Sequence, residues 1–189
     1  MKHKKVVFFS VIGILIVIGV IYILNYNHRF NVKNDEHLTE NIEEWLSRGN
    51  EKITLNNHVK LHQLGNSNSY IGFLQFKSKK LGIVKLDKGW NGKFQIISAG
   101  YGTNHLKYRT VNTKDGRFGI VYGSNPQGKI HSIKVKLLSY DYQYSTNINS
   151  NQDFFMKIDR LPKAIKSNDA SENIITYDQD HKEIKVMQK

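Results

Sequence analysis

Residues 6–24 form an unbroken run without a single charge, and almost every member is apolar. At about 1.5 Å of rise per residue, nineteen helical residues span roughly 28 Å, close to the hydrocarbon thickness of a bilayer. The run predicts a transmembrane helix, so the rest of the chain has to fold beside a membrane. Lys2, Lys4 and Lys5 precede the run, while Tyr22 and Tyr26 stand near its far end, where polar-tipped rings favour the interface. The expected layout is a cytoplasmic tail at 1–5, a single-pass anchor at 6–24 and an extracytoplasmic remainder. Arg29 and Lys33 follow the helix, so the charge asymmetry behind this orientation is modest. A cleaved signal peptide would need a small-residue cleavage site, and the first alanine is Ala99, which favours a retained signal anchor. The chain has no cysteine, which excludes a lipid-modified anchor and a disulfide framework. The anchor also lacks a GxxxG pair for helix dimerisation.

A polar linker is expected at 25–34 and one extracytoplasmic β-rich domain at 35–189. Leu38, Ile42, Trp45 and Leu46 repeat at i, i+4, i+7 and i+8, the spacing of one helix face. Asn34 or Asp35 can cap this helix, Glu36, Glu40, Glu43 and Glu44 suit its positive end, and Arg48-Gly49 stops it. From Lys52 onward the pattern becomes short strand-like runs at 53–55, 59–61, 70–76, 81–86, 93–98, 108–112, 118–122, 130–137, 140–145, 154–158, 174–177 and 184–186. Asn91-Gly92, between Trp90 and Lys93, carries the signature of a two-residue hairpin turn with positive φ at both centres. The fold class is therefore an N-terminal transmembrane helix followed by a mainly β (α+β) domain. In it, one short amphipathic helix precedes an antiparallel sheet or open barrel that packs against it.

The stretch 123–137 superficially resembles a phosphate-binding loop, with Gly123 four residues ahead of Gly128-Lys129. A Walker loop needs a hydroxyl after the lysine and then a helix, but Ile130 follows here. Ile133, Val135 and Leu137 then alternate with Ser132, Lys134 and Lys136, the period of a strand. Asn125-Pro126-Gln127-Gly128 is expected to be a type I turn joining 118–122 and 130–137 as a hairpin. Beyond it the apolar positions change parity, from Leu137 to Leu138, Tyr140, Tyr142 and Tyr144, which predicts a bulge or bend near Leu137-Leu138.

Charge is concentrated in the middle of the chain. Residues 66–139 hold thirteen basic groups against Asp87 and Asp115, a net +11, whereas 25–65 and 140–189 each come to −1. Such a block concentrates and steers a polyanion. Outside a membrane the candidates are anionic lipid, anionic wall polymer or an acidic protein partner; nucleic acid is disfavoured. The residues nominated for polyanion or partner binding are Lys77, Lys79, Lys80, Lys85, Lys88, Trp90, Lys93, Lys134 and Lys136. Lys134 and Lys136 should point outward from their strand. Trp90 flanks a hairpin tip among Lys85, Lys88 and Lys93; its ring either enters a headgroup layer or packs on Phe94 or Tyr101. The competing explanation for the lysines is a solvated face that guards strand edges.

Other motifs point away from chemistry. His58 and His62 have zinc-protease spacing, but Val59 replaces the general base, and in a strand the rings would stand roughly 13 Å apart at about 3.3 Å per residue. Asp178, Asp180 and Glu183 lack the glycine of a calcium loop and read as a polar hairpin tip. Tyr140, Tyr142 and Tyr144 form an aromatic row that suits packing better than sugar or base stacking. No nucleophile elbow occurs, and no thiol is present. No catalytic, metal or cofactor-binding residue is expected, and no cofactor.

The "MKHKK" start with its anchor, the "GIVKLDKGWNGKFQIISAGYG" segment, the "YGSNPQGKIHSIKV" stretch and the terminal "ITYDQDHKEI" resemble an uncharacterised family of small single-pass proteins of Gram-positive bacteria. The resemblance covers most of the chain and implies topology, since its motifs are structural turns without an assigned activity. The function expected is a non-enzymatic cell-envelope protein whose basic β-domain binds an anionic surface or partner outside the membrane. The alternative is an immunity or accessory protein that captures one secreted protein; an enzyme acting on wall or lipid comes third, for want of an acid/base pair.

Overall fold

A computed structural model of the chain describes residues 2–49, 52–103, 105–165 and 172–184. Helix α1 (Lys2–Arg29) contains the apolar run, and its described side chains from Val11 to Leu24 are almost all exposed. It is the one helix among the described residues long and apolar enough to cross a membrane. The helix also absorbs residues 25–29, the first half of the stretch read as a linker, and Phe30 N–H still donates to the Tyr26 carbonyl at 2.9 Å. Two residues on, Val32 exchanges backbone hydrogen bonds with Phe94 at 3.0 and 2.7 Å. The helix therefore runs into the β-domain without a free spacer.

Helix α2 (Leu38–Leu46) buries Leu38 and Ile42 as its spacing requires, and the turn Ser47–Gly49 ends it at the expected stop. Its start differs from expectation: the N-cap position is His37, not Asn34 or Asp35. Asp35 contributes one turn earlier, its carboxylate accepting from His37 N–H at 3.0 Å. On the domain side, Thr39 Oγ1 accepts from Val59 N–H at 3.0 Å and Glu43 from Leu55 N–H at 2.6 Å. These bonds occupy residues 53–59 with the helix. Leu55 consequently makes only an isolated bridge to Phe76, and neither 53–55 nor 59–60 is a strand.

The strands are β1 (Leu61–Gln63), β2 (Ser69–Gln75), β3 (Leu81–Lys88), β4 (Phe94–Gly102), β5 (Leu106–Thr113), β6 (Gly116–Ser124), β7 (Ser132–Leu137), β8 (Tyr142–Asn147), β9 (Phe154–Arg160), β10 (Glu172–Tyr177) and β11 (Glu183–Ile184). The last expected run, 184–186, extends beyond the described residues. Among the described residues all pairs are antiparallel, and they divide among three sheets, β1-β2-β3-β4, β5-β6-β9 and β11-β10-β7-β8. The mainly β class read from the sequence holds, with its strands in stacked layers.

Side-chain parity explains the stacking. In the first sheet Leu74, Val84, Leu86, Phe94 and Ile96 pack against α2, while Ile71, Leu81 and Ile83 meet Val111, Phe118, Ile120 and Tyr122 of the second. The opposite face of the second sheet places Leu106, Val121 and Phe155 against Ile133, Val135 and Leu137 of the third. β6 is thus covered on both faces, which is why 118–122 reads as a continuous apolar run.

The 123–137 stretch is not a hairpin. β6 pairs with β5 and β9, and β7 pairs with β8 and β10, so the loop between them carries the chain from one layer to the next. Asn125, fully buried, makes that crossing: its side-chain oxygen accepts from Ile130 N–H at 2.7 Å and its amide donates to the Ile130 carbonyl at 3.0 Å. Gln127 and Gly128 take the left-handed conformation at φ +65° and +63°. The predicted bend at Leu137-Leu138 is present as a turn over Leu138–Tyr140, closed by Asp141 at φ +45°, which folds β8 back on β7. Tyr142 and Tyr144 pack on the third sheet's core, opposite Leu137 and Val135. Burial pushes the Tyr144 phenol far above its ordinary value.

Asp115 ties two layers together. At the β5–β6 turn its carboxylate accepts from Asn66 N–H at 2.8 Å and pairs with Arg160 at 3.1 Å. The Asn66 backbone bond, helped by Arg160, holds the Asp115 carboxyl below the usual carboxylate range. A depressed folded-state pKa contributes stability above the unfolded value that is lost as pH falls through the folded one. Asp115→Asn should therefore make the decline of Tm below about pH 4 shallower, measured by thermal melts across a pH series. An unchanged slope would show that this contact does not contribute.

Candidate functional site

The β3–β4 hairpin carries the tip at which Trp90 was expected. Lys88 pairs with Phe94, so the loop holds five residues, 89–93, and not two. Only Gly92 takes a positive φ, +76°. Asn91 is otherwise employed: its amide donates to Asn27 Oδ1 at 3.0 Å and to the Phe30 carbonyl at 3.1 Å, while its oxygen accepts from Lys93 N–H at 3.1 Å. Trp90 N–H donates to the Tyr26 hydroxyl oxygen at 2.7 Å. The tip is docked on the end of α1.

The Trp90 ring packs on neither Phe94 nor Tyr101. It stacks on Tyr26 with centroids 5.0 Å apart, and Tyr26 stacks on Phe30 at 4.5 Å. Tyr22 stands one turn back along the helix, 6.4 Å from Tyr26. Trp90 remains 69% exposed, so one face of this aromatic cluster is open. Gly89 permits the approach, since a Cβ there would meet the Tyr26 hydroxyl and lie 2.8 Å from Phe30.

The nominated lysines lie in three places. Lys77, Lys79 and Lys80 belong to the β2–β3 turn, at the opposite end of β3 from the Trp90 tip; Lys80 sits 5.5 Å over the Tyr101 ring. Lys85, Lys88 and Lys93 follow β3 to the docked tip, with Lys88 5.9 Å over Phe94. Lys134 and Lys136 project from the outer face of β7, beside Ser145 and Gln143, as the alternation required. The charge block is therefore not one continuous patch.

Two basic residues not singled out from the sequence, Arg109 and Lys114, join the second group, whereas Lys107, beside Gly102, lies toward the β2–β3 turn. Arg109 and Lys107 of β5 lie across Gly100 and Gly102 of β4, where side chains would collide with them. Lys85 donates to the Asn112 carbonyl of β5 at 3.4 Å. Lys85, Arg109 and Ser98 line a groove of about 220 Å³ between the first two sheets. It adjoins a larger cleft of about 590 Å³, lined by Tyr26, Phe30 and Trp90 on the helix side and by Lys85, Lys88 and Lys114 on the domain side. A basic seam thus leads from mid-domain to the end of the apolar helix. Among the described residues no carboxylate forms an ion pair with any of these cations. Asp87, the one acid among the described residues that line the larger cleft, accepts from the Ser69 hydroxyl at 2.6 Å.

The remaining candidates fall where they carry no site. His58 precedes β1 and His62 lies within it, both exposed, so no helix face joins them. Asp178 organises the β10–β11 tip by accepting from Asp180 N–H and Lys182 N–H, each at 2.9 Å. No protein family, no curated protein and no solved structure matches this chain.

Proposed function

We propose that this is a non-enzymatic, membrane-anchored envelope protein whose basic β-domain binds an anionic surface or partner outside the membrane. The carrying observation is the concentration of charge: the +11 block falls on strands and turns where its lysines have no acidic partner among the described residues. In this reading α1 is a retained signal anchor with its N-terminus cytoplasmic, the arrangement also implied by the resemblance to small Gram-positive single-pass proteins. The Lys77, Lys79 and Lys80 turn and the outer Lys134 and Lys136 face partners that approach from the side away from the helix end.

Replacing Lys77, Lys79, Lys80, Lys134 and Lys136 with glutamine should weaken binding to anionic vesicles or anionic wall polymer by about fivefold for each lysine that meets the surface, and by about a thousandfold or more if all five do, at about 1 kcal/mol per lysine near a charged surface. Unchanged binding rules the reading out. Stoichiometric, salt-tolerant capture of one secreted protein would instead support the immunity or accessory alternative. Protease digestion of a C-terminally tagged chain on intact protoplasts tests the orientation: degradation supports an external domain, and protection reverses it.

A further inference from the structure

We propose that the cleft between the end of α1 and the first two sheets binds the phosphate headgroup of an anionic phospholipid from the membrane that α1 crosses. The inference rests on the anchored reading above and names a ligand that the reading leaves open.

Depth is the first argument. Tyr26 lies two residues beyond Leu24, so at about 1.5 Å per residue the Tyr26–Trp90 stack stands about 3 Å outside the apolar run, in the headgroup layer. Because α1 passes into the domain without a spacer, the cleft cannot drift from that level. A lipid can enter it sideways without leaving the bilayer.

Chemistry is the second. Lys85, Lys88 and Lys114 approach from the domain side, and among the described residues Asp87 alone opposes them, with one oxygen engaged by Ser69. That leaves an excess of positive charge suited to a phosphodiester. The facing wall of Tyr26, Phe30 and Trp90 suits the glycerol and the first methylenes, which a free phosphate does not possess. The volume, about 590 Å³, accommodates a headgroup. A wall polymer can run along the seam, but it has no use for an aromatic wall at bilayer depth.

The test uses the full chain in nanodiscs of phosphatidylcholine containing a minor fraction of phosphatidylglycerol, with the lipid retained on the protein after detergent extraction measured by native mass spectrometry. The wild type should retain phosphatidylglycerol in preference to phosphatidylcholine. The triple variant Lys85→Gln/Lys88→Gln/Lys114→Gln should lose that preference, by about fivefold per lysine. Lys52→Gln/Lys60→Gln/Lys182→Gln, the same charge change at exposed lysines outside the cleft, should keep it; matched circular dichroism shows that both variants fold. Equal retention in the two triples overturns the proposal. A second arm adds inorganic phosphate or glycerol 3-phosphate to phosphatidylcholine nanodiscs, and binding there that depends on the cleft lysines overturns the lipid source. A third measures polyglycerol phosphate polymer, and loss of polymer binding in the cleft variant with lipid retention intact overturns it as well. Failure of the cleft leaves the polymer and vesicle result of the five-lysine variant untouched, so the two failures are distinguishable.

Discussion

Asn125→Asp is expected to cost about 4 kcal/mol of folding stability, the range seen when a buried polar group loses its partner and a charge is left in the interior. Asn125 is fully buried, and its amide and oxygen together replace the backbone ladder that β6 and β7 do not share. The aspartate keeps an acceptor for Ile130 N–H but presents a second oxygen to the Ile130 carbonyl, where the native amide donates. Burial and that carbonyl would raise the pKa of the introduced carboxyl. A folded-state pKa raised above the unfolded value means that stability is regained as pH falls through it. Urea denaturation should therefore show a deficit that shrinks toward acid pH, while Asn125→Ala should show a loss without this recovery. A deficit below about 1 kcal/mol at neutral pH would mean that the inter-layer loop does not depend on the clamp.

Gly82→Val is expected to be nearly as damaging, at about 3 kcal/mol, the upper part of the overpacking range. Gly82 lies in β3 opposite Tyr101 of β4. A Cβ there would run into the Gly100 carbonyl oxygen and stand 2.8 Å and 3.0 Å from Tyr101 Cβ and Cα. Backbone in a paired strand cannot swing aside as a side-chain terminus can, so even alanine should be costly. The displaced β4 would also move Gly100, over which Arg109 lies, and so open the basic seam. Thermal melts with and without anionic vesicles separate the two effects. A variant with unchanged Tm would show that β4 has room to give.

Local pattern made the helices and strand periods legible. The anchor, the Leu38–Leu46 helix and the alternation of Ile133, Val135 and Leu137 all follow from side chains that meet one continuous environment. Pairing partners were not legible, because they depend on which strand edges are already occupied. The 123–137 stretch has the composition of a hairpin, yet β5 and β9 hold both edges of β6, and the chain has to leave for another layer. The site was visible only in part. Lys85, Lys88, Lys93 and Trp90 cluster within one hairpin, so nearness in sequence exposed them. Arg109 matters because it crosses Gly100 of another sheet, a relation that strand alternation alone does not contain. The contact of Tyr26 with Trp90 spans 64 residues; each ring by itself suits the interface, and neither predicts the other.

The continuity from α1 through Val32 into β4 makes the attachment a bracket and not a leash. A domain on a flexible stalk searches a hemisphere and meets its partner at any angle. A bracketed domain searches only by sliding in the membrane plane and by spinning about its helix, so its stand-off is fixed and each face keeps a constant height. On the anchored reading proposed above, partners would have to come within one domain thickness of the bilayer, and rotation of the anchor would sweep the basic seam around like a radial arm.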